Sequence, residues 1–289
     1  MSSGGRTVAR VEDKVRLGPD AQVDDKAIII MPKDPRSTDP FLALAEDWFS
    51  EPGFEWHPHR GIETVTMVLD GVLEHGDNVG NAGALLPGDV QWMTAGRGII
   101  HRELAFKNEH AHTLQLWVNL PARRKMVETG YQDLRASVRP TVVQPGTSID
   151  VISGAIGDVQ GLARNVHPIQ GAVISLDPRT QVDFAVPATH RAFFYVLSGR
   201  VTVAGRQVDE GQVAWSDPVR TGSSSVHIAS LASDEVSRVL TYSGQPLREP
   251  VVLGGPFVMN SRAEIEAADR DFHSGKFGQV PKVARLKRT

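Results

Sequence analysis

An internal repeat constrains the fold of this 289-residue chain more than any other feature. Val68-Leu69-Asp70-Gly71-Val72-Leu73 is answered by Val196-Leu197-Ser198-Gly199-Arg200-Val201, and Gly88-Asp89-Val90-Gln91-Trp92 by Gly211-Gln212-Val213-Ala214-Trp215. Each unit reads as strand, tight turn, strand, then a glycine-led turn into a strand bearing Trp. A chain that spells one supersecondary unit twice is expected to use one β-barrel twice. The 27 Gly and 18 Pro agree, because such punctuation favours many short strands over long helices.

The remaining segments fit this reading. Ala27-Ile28-Ile29-Ile30-Met31 ends at Pro32 and reads as a buried strand. Thr64 to Leu69 and Thr113 to Val118 are short and β-rich, with turns at Asp70-Gly71, Pro87-Gly88 and Gly96-Arg97-Gly98. Arg123 to Leu134 has mixed charge, a turn at Gly130, and the look of a brief helical connector. A second β-rich region runs from Val138 to about Tyr242. The expectation is an all-β chain of two tandem antiparallel barrels, one over residues 1–135 and one over 136–289. Ser261-Arg262-Ala263-Glu264 has capping-box spacing and predicts a short C-terminal helix to about His273, stopped by Gly275. Lys282, Arg285, Lys287 and Arg288 read as a solvated basic tail.

A formal net charge of −3 offers no global positive field for nucleic acid or an anionic membrane, so neither partner is expected. No apolar run approaches the roughly 18 to 20 residues of a membrane span, and the N-terminal residues lack a signal-peptide core. A cytoplasmic monomer is expected. With no cysteine in the chain, disulfides and thiolate ligands are excluded, and His and carboxylates are the metal-binding vocabulary.

That vocabulary is concentrated in His57-Pro58-His59 and His101-Arg102-Glu103. Residues at i and i+2 of a strand leave the same face, so two facing strands would deliver three imidazoles and one carboxylate to a point. Such a mixed N/O set suits a first-row transition metal. His110-Ala111-His112 has the same spacing but follows the polar Lys107-Asn108-Glu109, and both are read as loop histidines. Aligning Gly199 with Gly71 puts Pro187-Ala188-Thr189-His190 where the first repeat has its His pair, and Trp215 leads to Ser216-Asp217-Pro218. The second barrel is therefore expected to hold no metal.

The stretches Phe54 to Thr66, Pro87 to Glu103, Leu114 to Pro121 and Gly255 to Ser261 closely resemble the pirin family of the cupin superfamily. The resemblance spans nearly the whole chain. It implies a bicupin fold with one metal in the N-terminal barrel, held by His57, His59, His101 and Glu103. It also implies Fe(II) as the foremost divalent metal, with Mn, Co, Ni, Cu and Zn as alternatives. Glu63, at the metal-binding position of other cupins, is ranked as a supporting carboxylate.

The activity implied is that of a quercetin 2,3-dioxygenase, a non-haem metal oxygenase acting on a flavonol or related aromatic, enolic substrate with O2. Glu103 is the candidate proton acceptor, and no organic cofactor is expected. The alternatives are a non-catalytic, iron-dependent regulator that binds a transcription factor or metabolic enzyme complex, and a purely structural metal. Phe54, Met67, Trp92 and Trp117 are candidate cavity residues, with Gln115 as the polar one. Occupancy of the site is expected to fall as pH drops through the imidazole range.

Overall fold

Residues 5–50, 53–106, 109–219 and 224–281 are described by the computed structural model of the chain. The repeat is visible first in its glycines. Gly71 and Gly199 have φ of 75° and 78°, and Gly88 and Gly211 have 87° and 79°. These are left-handed conformations that a residue without Cβ adopts at no steric cost, so each hairpin turns where the sequence places its glycine.

The first barrel pairs a seven-stranded sheet with a four-stranded one. The larger sheet runs in the spatial order Gly130–Leu134, Val90–Thr94, Ile62–Gly71, Ala111–Asn119, Phe41–Phe49, Asp25–Ile30 and Val15–Arg16. The smaller sheet runs Phe54–His59, Ile99–Ala105, Leu73–Asp77, Ala82–Leu85. Apolar side chains of the two sheets share clusters: Phe49, Val68 and Ala111 meet Leu73, Leu85 and Ala105, while Leu42, Ile62 and Met93 meet Ile99. Burial of these faces closes the barrel.

The second barrel has the same plan. Its seven-stranded sheet runs Arg10–Asp13, Gln212–Ser216, Arg191–Ser198, Ser237–Gly244, Ile169–Leu176, Thr147–Ser153, Thr141–Gln144. The four-stranded sheet is Gln181–Ala185, Ser225–Ser230, Arg200–Val203, Arg206–Asp209. Val151, Ile174, Phe184, Phe194, Val201 and Val226 are among the buried residues that fill its interior.

The chain does not divide at residue 136 into a first and a second barrel. One compact unit joins the N-terminal segment through Val15 to residues Val138–Pro246, and the other joins Arg16–Ser137 to the segment from Leu247 onward. The cause is edge pairing. In each barrel the Trp-bearing strand needs a neighbour on its outer side. Arg10–Asp13 supplies it in the second barrel, with Arg10 opposite Trp215, and Gly130–Leu134 supplies it in the first, with Gln132 opposite Trp92. Residues 123–134 are thus mostly not helical: only a 3-10 turn, Ala122–Arg124, precedes that strand.

The helix Arg262–His273 starts as the capping box predicts, with the Ser261 hydroxyl accepting from the Glu264 N–H. The Glu264 carboxylate reaches back one residue further than expected, to the Asn260 N–H at 3.1 Å. Gly275, with φ of 78°, follows its end. The basic tail lies outside the described residues, and among those described no helix is long and apolar enough to cross a membrane.

The C-terminal segment is stitched to the first barrel next to the His pair. The Val258 N–H donates to the Arg60 carbonyl at 3.0 Å, and the buried Lys125 ammonium donates to the carbonyls of Gly61 and Val258 and to Asn119 Oδ1, all at 2.8–2.9 Å. Gly61, at φ 81°, is the residue that permits this approach, since a Cβ there would run into the Val258 carbonyl oxygen. Gly61→Ala is expected to lower stability by about 2 kcal/mol or more, read as a fall in the urea midpoint at unchanged slope.

Candidate metal centre

Phe54–His59 and Ile99–Ala105 are antiparallel neighbours, with Ile99 opposite His59, Ile100 opposite Pro58 and His101 opposite His57. Pro58 lacks an N–H, yet no ladder bond is lost. Its partner Ile100 turns both backbone groups to Asn78, donating to Oδ1 at 2.9 Å and accepting from the N–H at 2.9 Å. The two strands therefore stay in register on either side of the proline, and the three imidazoles gather. Ring centroids lie 4.3 Å apart for His57 and His101, 5.1 Å for His57 and His59, and 5.0 Å for His59 and His101. One ligand nitrogen from each lies within 4.8 Å of the others.

The lone pairs point the right way for a cation. His57 Nδ1 lies 2.7 Å from the Glu55 carbonyl and His59 Nδ1 3.2 Å from that of Pro256. A carbonyl only accepts, so both Nδ1 atoms carry the proton and both Nε2 atoms present a lone pair. Nε2 of His59 and of His101 are buried with no hydrogen-bond partner among the described residues. Buried imidazole nitrogens left without partners, converging from two strands, fit a bound metal in chemistry and arrangement.

Burial holds these rings neutral. It pushes His59 down to about 3, helped by the nearby His57 and opposed by its bond to Pro256. His101 lies well below the ordinary imidazole value for the same first reason, and His57 is lowered by burial against its bond to Glu55. A further histidine absent from the sequence reading, His75, is also pushed to about 3, mainly by burial, and its Nε2 lies 3.1 Å from His101 Nδ1. The pH range in which protons compete for the site is thus displaced below that of free imidazole.

Glu103 is not drawn into the trio. A register shift in the pairing with Phe54–His59 sets Glu103 opposite Phe54, but its own strand runs on regularly from His101 against Leu73–Asp77, and Glu103 lines the same cavity as His57 and His59. Its carboxylate instead accepts from Thr66 Oγ1 at 2.9 Å and from Gln115 Nε2 at 2.6 Å. Gln115 is itself held, because its Oε1 accepts from Trp117 Nε1 at 3.0 Å, and the Trp117 ring stands edge-on to His59. Burial raises Glu103 to about 7, with the two donors pulling it back.

Beside the trio is a cavity of about 350 Å³, lined by His57, His59, Glu103 and Gln115 together with apolar residues including Phe54 and Trp117. Met67 and Trp92 do not line it; they are buried in the core. Lys26 and Asp47 do, and were not singled out from the sequence. Their charged ends lie 3.7 Å apart, and burial raises Asp47 to about 6 despite that cation.

The other histidines stand elsewhere. His112 lies on a strand and not in a loop; it stacks on Trp48 at 4.4 Å and bonds Glu46 at 2.9 Å. His110, just before that strand, bonds Asp70 at 2.7 Å. Glu63 accepts from Thr94 Oγ1 at 2.8 Å. In the second barrel, His190 bonds Ser243 Oγ at 3.0 Å, and its carbonyl accepts from the buried Arg6.

Comparison with known proteins agrees with the fold. The profile described as Pirin matches residues 24–118, and that described as Pirin C-terminal cupin domain matches 171–278. Pirin-like protein 2 of Arabidopsis thaliana is 41% identical over 248 residues, covering 83% of this chain and 76% of that one. Human Pirin is 38% identical over 245 residues, covering 84% of each. Among solved structures, a quercetin 2,3-dioxygenase from Acinetobacter baumannii superposes with a TM-score of 0.84 at 31% identity, covering 95% of this chain and 99% of that one. The two barrels are cupin domains, and the chain belongs to the pirin family.

The pKa shifts have a consequence for stability. An unfolded imidazole titrates near 6.5, so as pH falls from there toward 3 the unfolded chain takes up protons that the buried rings refuse. Stability from His57, His59, His75 and His101 is complete above about 6.5 and is lost through that window. Glu103 and Asp47, raised to about 7 and 6, work in the opposite sense. The urea midpoint of the metal-free protein is expected to fall between pH 7 and pH 5, and more steeply in Glu103→Gln.

Proposed function

We propose that the chain is a metal-dependent dioxygenase of the quercetin 2,3-dioxygenase kind, cleaving a flavonol or related enolic substrate with O2. The observation that carries the reading is the pairing of three converging, neutral imidazoles with an adjoining cavity of small-molecule size. The Acinetobacter relative named for this activity supports it.

His57, His59 and His101 would hold the metal through Nε2, with Fe(II) foremost, and Glu103 would serve as the fourth ligand. When bound, the metal supplies the positive charge that favours the enolate form of the substrate and the redox capacity that dioxygen chemistry requires. The protein does the rest. Phe54 and Trp117 give an aromatic substrate apolar walls against which to lie. Glu103, which Thr66 and Gln115 hold by hydrogen bonds, would take the proton of the substrate hydroxyl. Gln115, anchored by Trp117, fixes the carboxylate so that it faces the cavity.

Iron-loaded protein incubated with quercetin is expected to show loss of the flavonol absorbance in air and none under anaerobic conditions. Glu103→Gln should lower kcat about 100-fold. Wild-type protein shown to hold metal, yet giving no oxygen-dependent loss with quercetin or other enolic substrates, would rule the activity out.

A further inference from the structure

We infer that His75 is a positioning residue whose tautomer is coupled to which nitrogen of His101 is free to bind a metal; the inference rests on the metal reading above. The three ring systems are not oriented alike. His57 and His59 are fixed by main-chain carbonyls, which only accept, so each is locked with its proton on Nδ1. His101 has no such lock. Its Nδ1 faces the Nε2 of another imidazole, His75, at 3.1 Å, and a neutral imidazole nitrogen either donates or accepts.

Two arrangements follow, both with neutral rings. In one, His101 Nδ1–H donates to His75 Nε2, the His75 proton sits on Nδ1, and His101 Nε2 presents its lone pair as His57 and His59 do. In the other, His75 Nε2–H donates to His101 Nδ1, and the His101 proton sits on Nε2, directed among the other two rings, where it closes the site.

What would normally decide between them is a partner at the far end of His75, and the buried His75 Nδ1 has no hydrogen-bond partner among the described residues. The ring is held instead by packing. Leu73–Asp77 lies between two strands, with Glu103 opposite His75 on one side and Gly83 on the other. Tyr131 covers the ring at a centroid distance of 5.0 Å and an interplanar angle of 30°. Gly83 leaves room for that cover, since a Cβ there would come within 3.2 Å of the Tyr131 hydroxyl. His75 is therefore fixed in place while its tautomer is not. Metal binding selects the Nδ1–H form, and the preference is drawn from the metal affinity, as with other groups that orient a ligating histidine.

The test uses the full chain with zinc as a diamagnetic probe, chelator competition for affinity, and 15N shifts of labelled histidines for tautomers. In the zinc-loaded wild type, His75 is expected to carry its proton on Nδ1 alone, and in the metal-free protein to show both forms. His75→Phe, which keeps a ring against Tyr131 but cannot accept, should bind zinc 10- to 100-fold more weakly. His75→Gln, whose amide oxygen can accept, should recover affinity to within a few-fold of wild type.

Wild-type affinity in His75→Phe, or a zinc-loaded His75 with its proton on Nε2, overturns the inference and leaves the metal reading standing. If wild-type protein holds zinc no better than His57→Ala, the metal reading itself fails and the inference goes with it. The tautomer measurement needs no variant, so a misfolded substitution does not decide the question.

Discussion

The register between Phe54–His59 and Ile99–Ala105 is the constraint on which the site depends. Sliding one strand by a single residue would turn His101 away from His57 and put Arg102 in its place. What pins the register is Pro58 opposite Ile100, at the one point of the pairing where no ladder hydrogen bond is required because Asn78 takes both of Ile100's backbone groups. The proline between the histidines and the asparagine in the turn after Leu73–Asp77 thus belong to one device. Its energetic counterpart is burial, which raises the cost of charging the imidazoles and keeps their lone pairs available to a cation.

Around that trio, the same low-dielectric surroundings separate the roles of neighbouring groups. Rings that must offer lone pairs are held neutral below the ordinary imidazole value, while the two carboxylates facing the cavity, Glu103 and Asp47, are raised toward neutrality. Groups whose protonation is pushed in opposite directions within one pocket are a familiar signature of proton-transfer chemistry. The hydrogen-bond chain from Trp117 through Gln115 to Glu103 couples the cavity wall to the Glu103 carboxylate, so the shape of the pocket and the position of that carboxylate are set together.

Much of this was legible in the sequence because it is written in local spacing. The repeated hairpins, the glycines at left-handed turns, the capping box at Ser261 and the two His-bearing strands all follow from patterns a few residues long. What escaped was decided between distant strands. Residues 130–134 carry no strong strand periodicity and become a strand because the Trp92 strand has an open edge to fill. The bulge that brings Phe54 opposite Glu103 is a property of two strands paired, invisible in either alone. His112 is drawn onto its strand by Trp48 and Glu46 across the sheet, and His75 gains its meaning only from a neighbouring strand that brings His101 beside it. The sole sequence hint for His75 was its position on the outgoing arm of the hairpin turned by Gly71.

The docking of the C-terminal segment bears on how the protein is made. His59 is oriented by the carbonyl of Pro256, and the Lys125 cluster is completed by that of Val258, so both arrive about 200 and 130 residues after the groups they hold. During synthesis the first barrel emerges early, but with one imidazole unoriented and one ammonium short of an acceptor. The pocket beside the trio is finished only once residues 256–258 have followed.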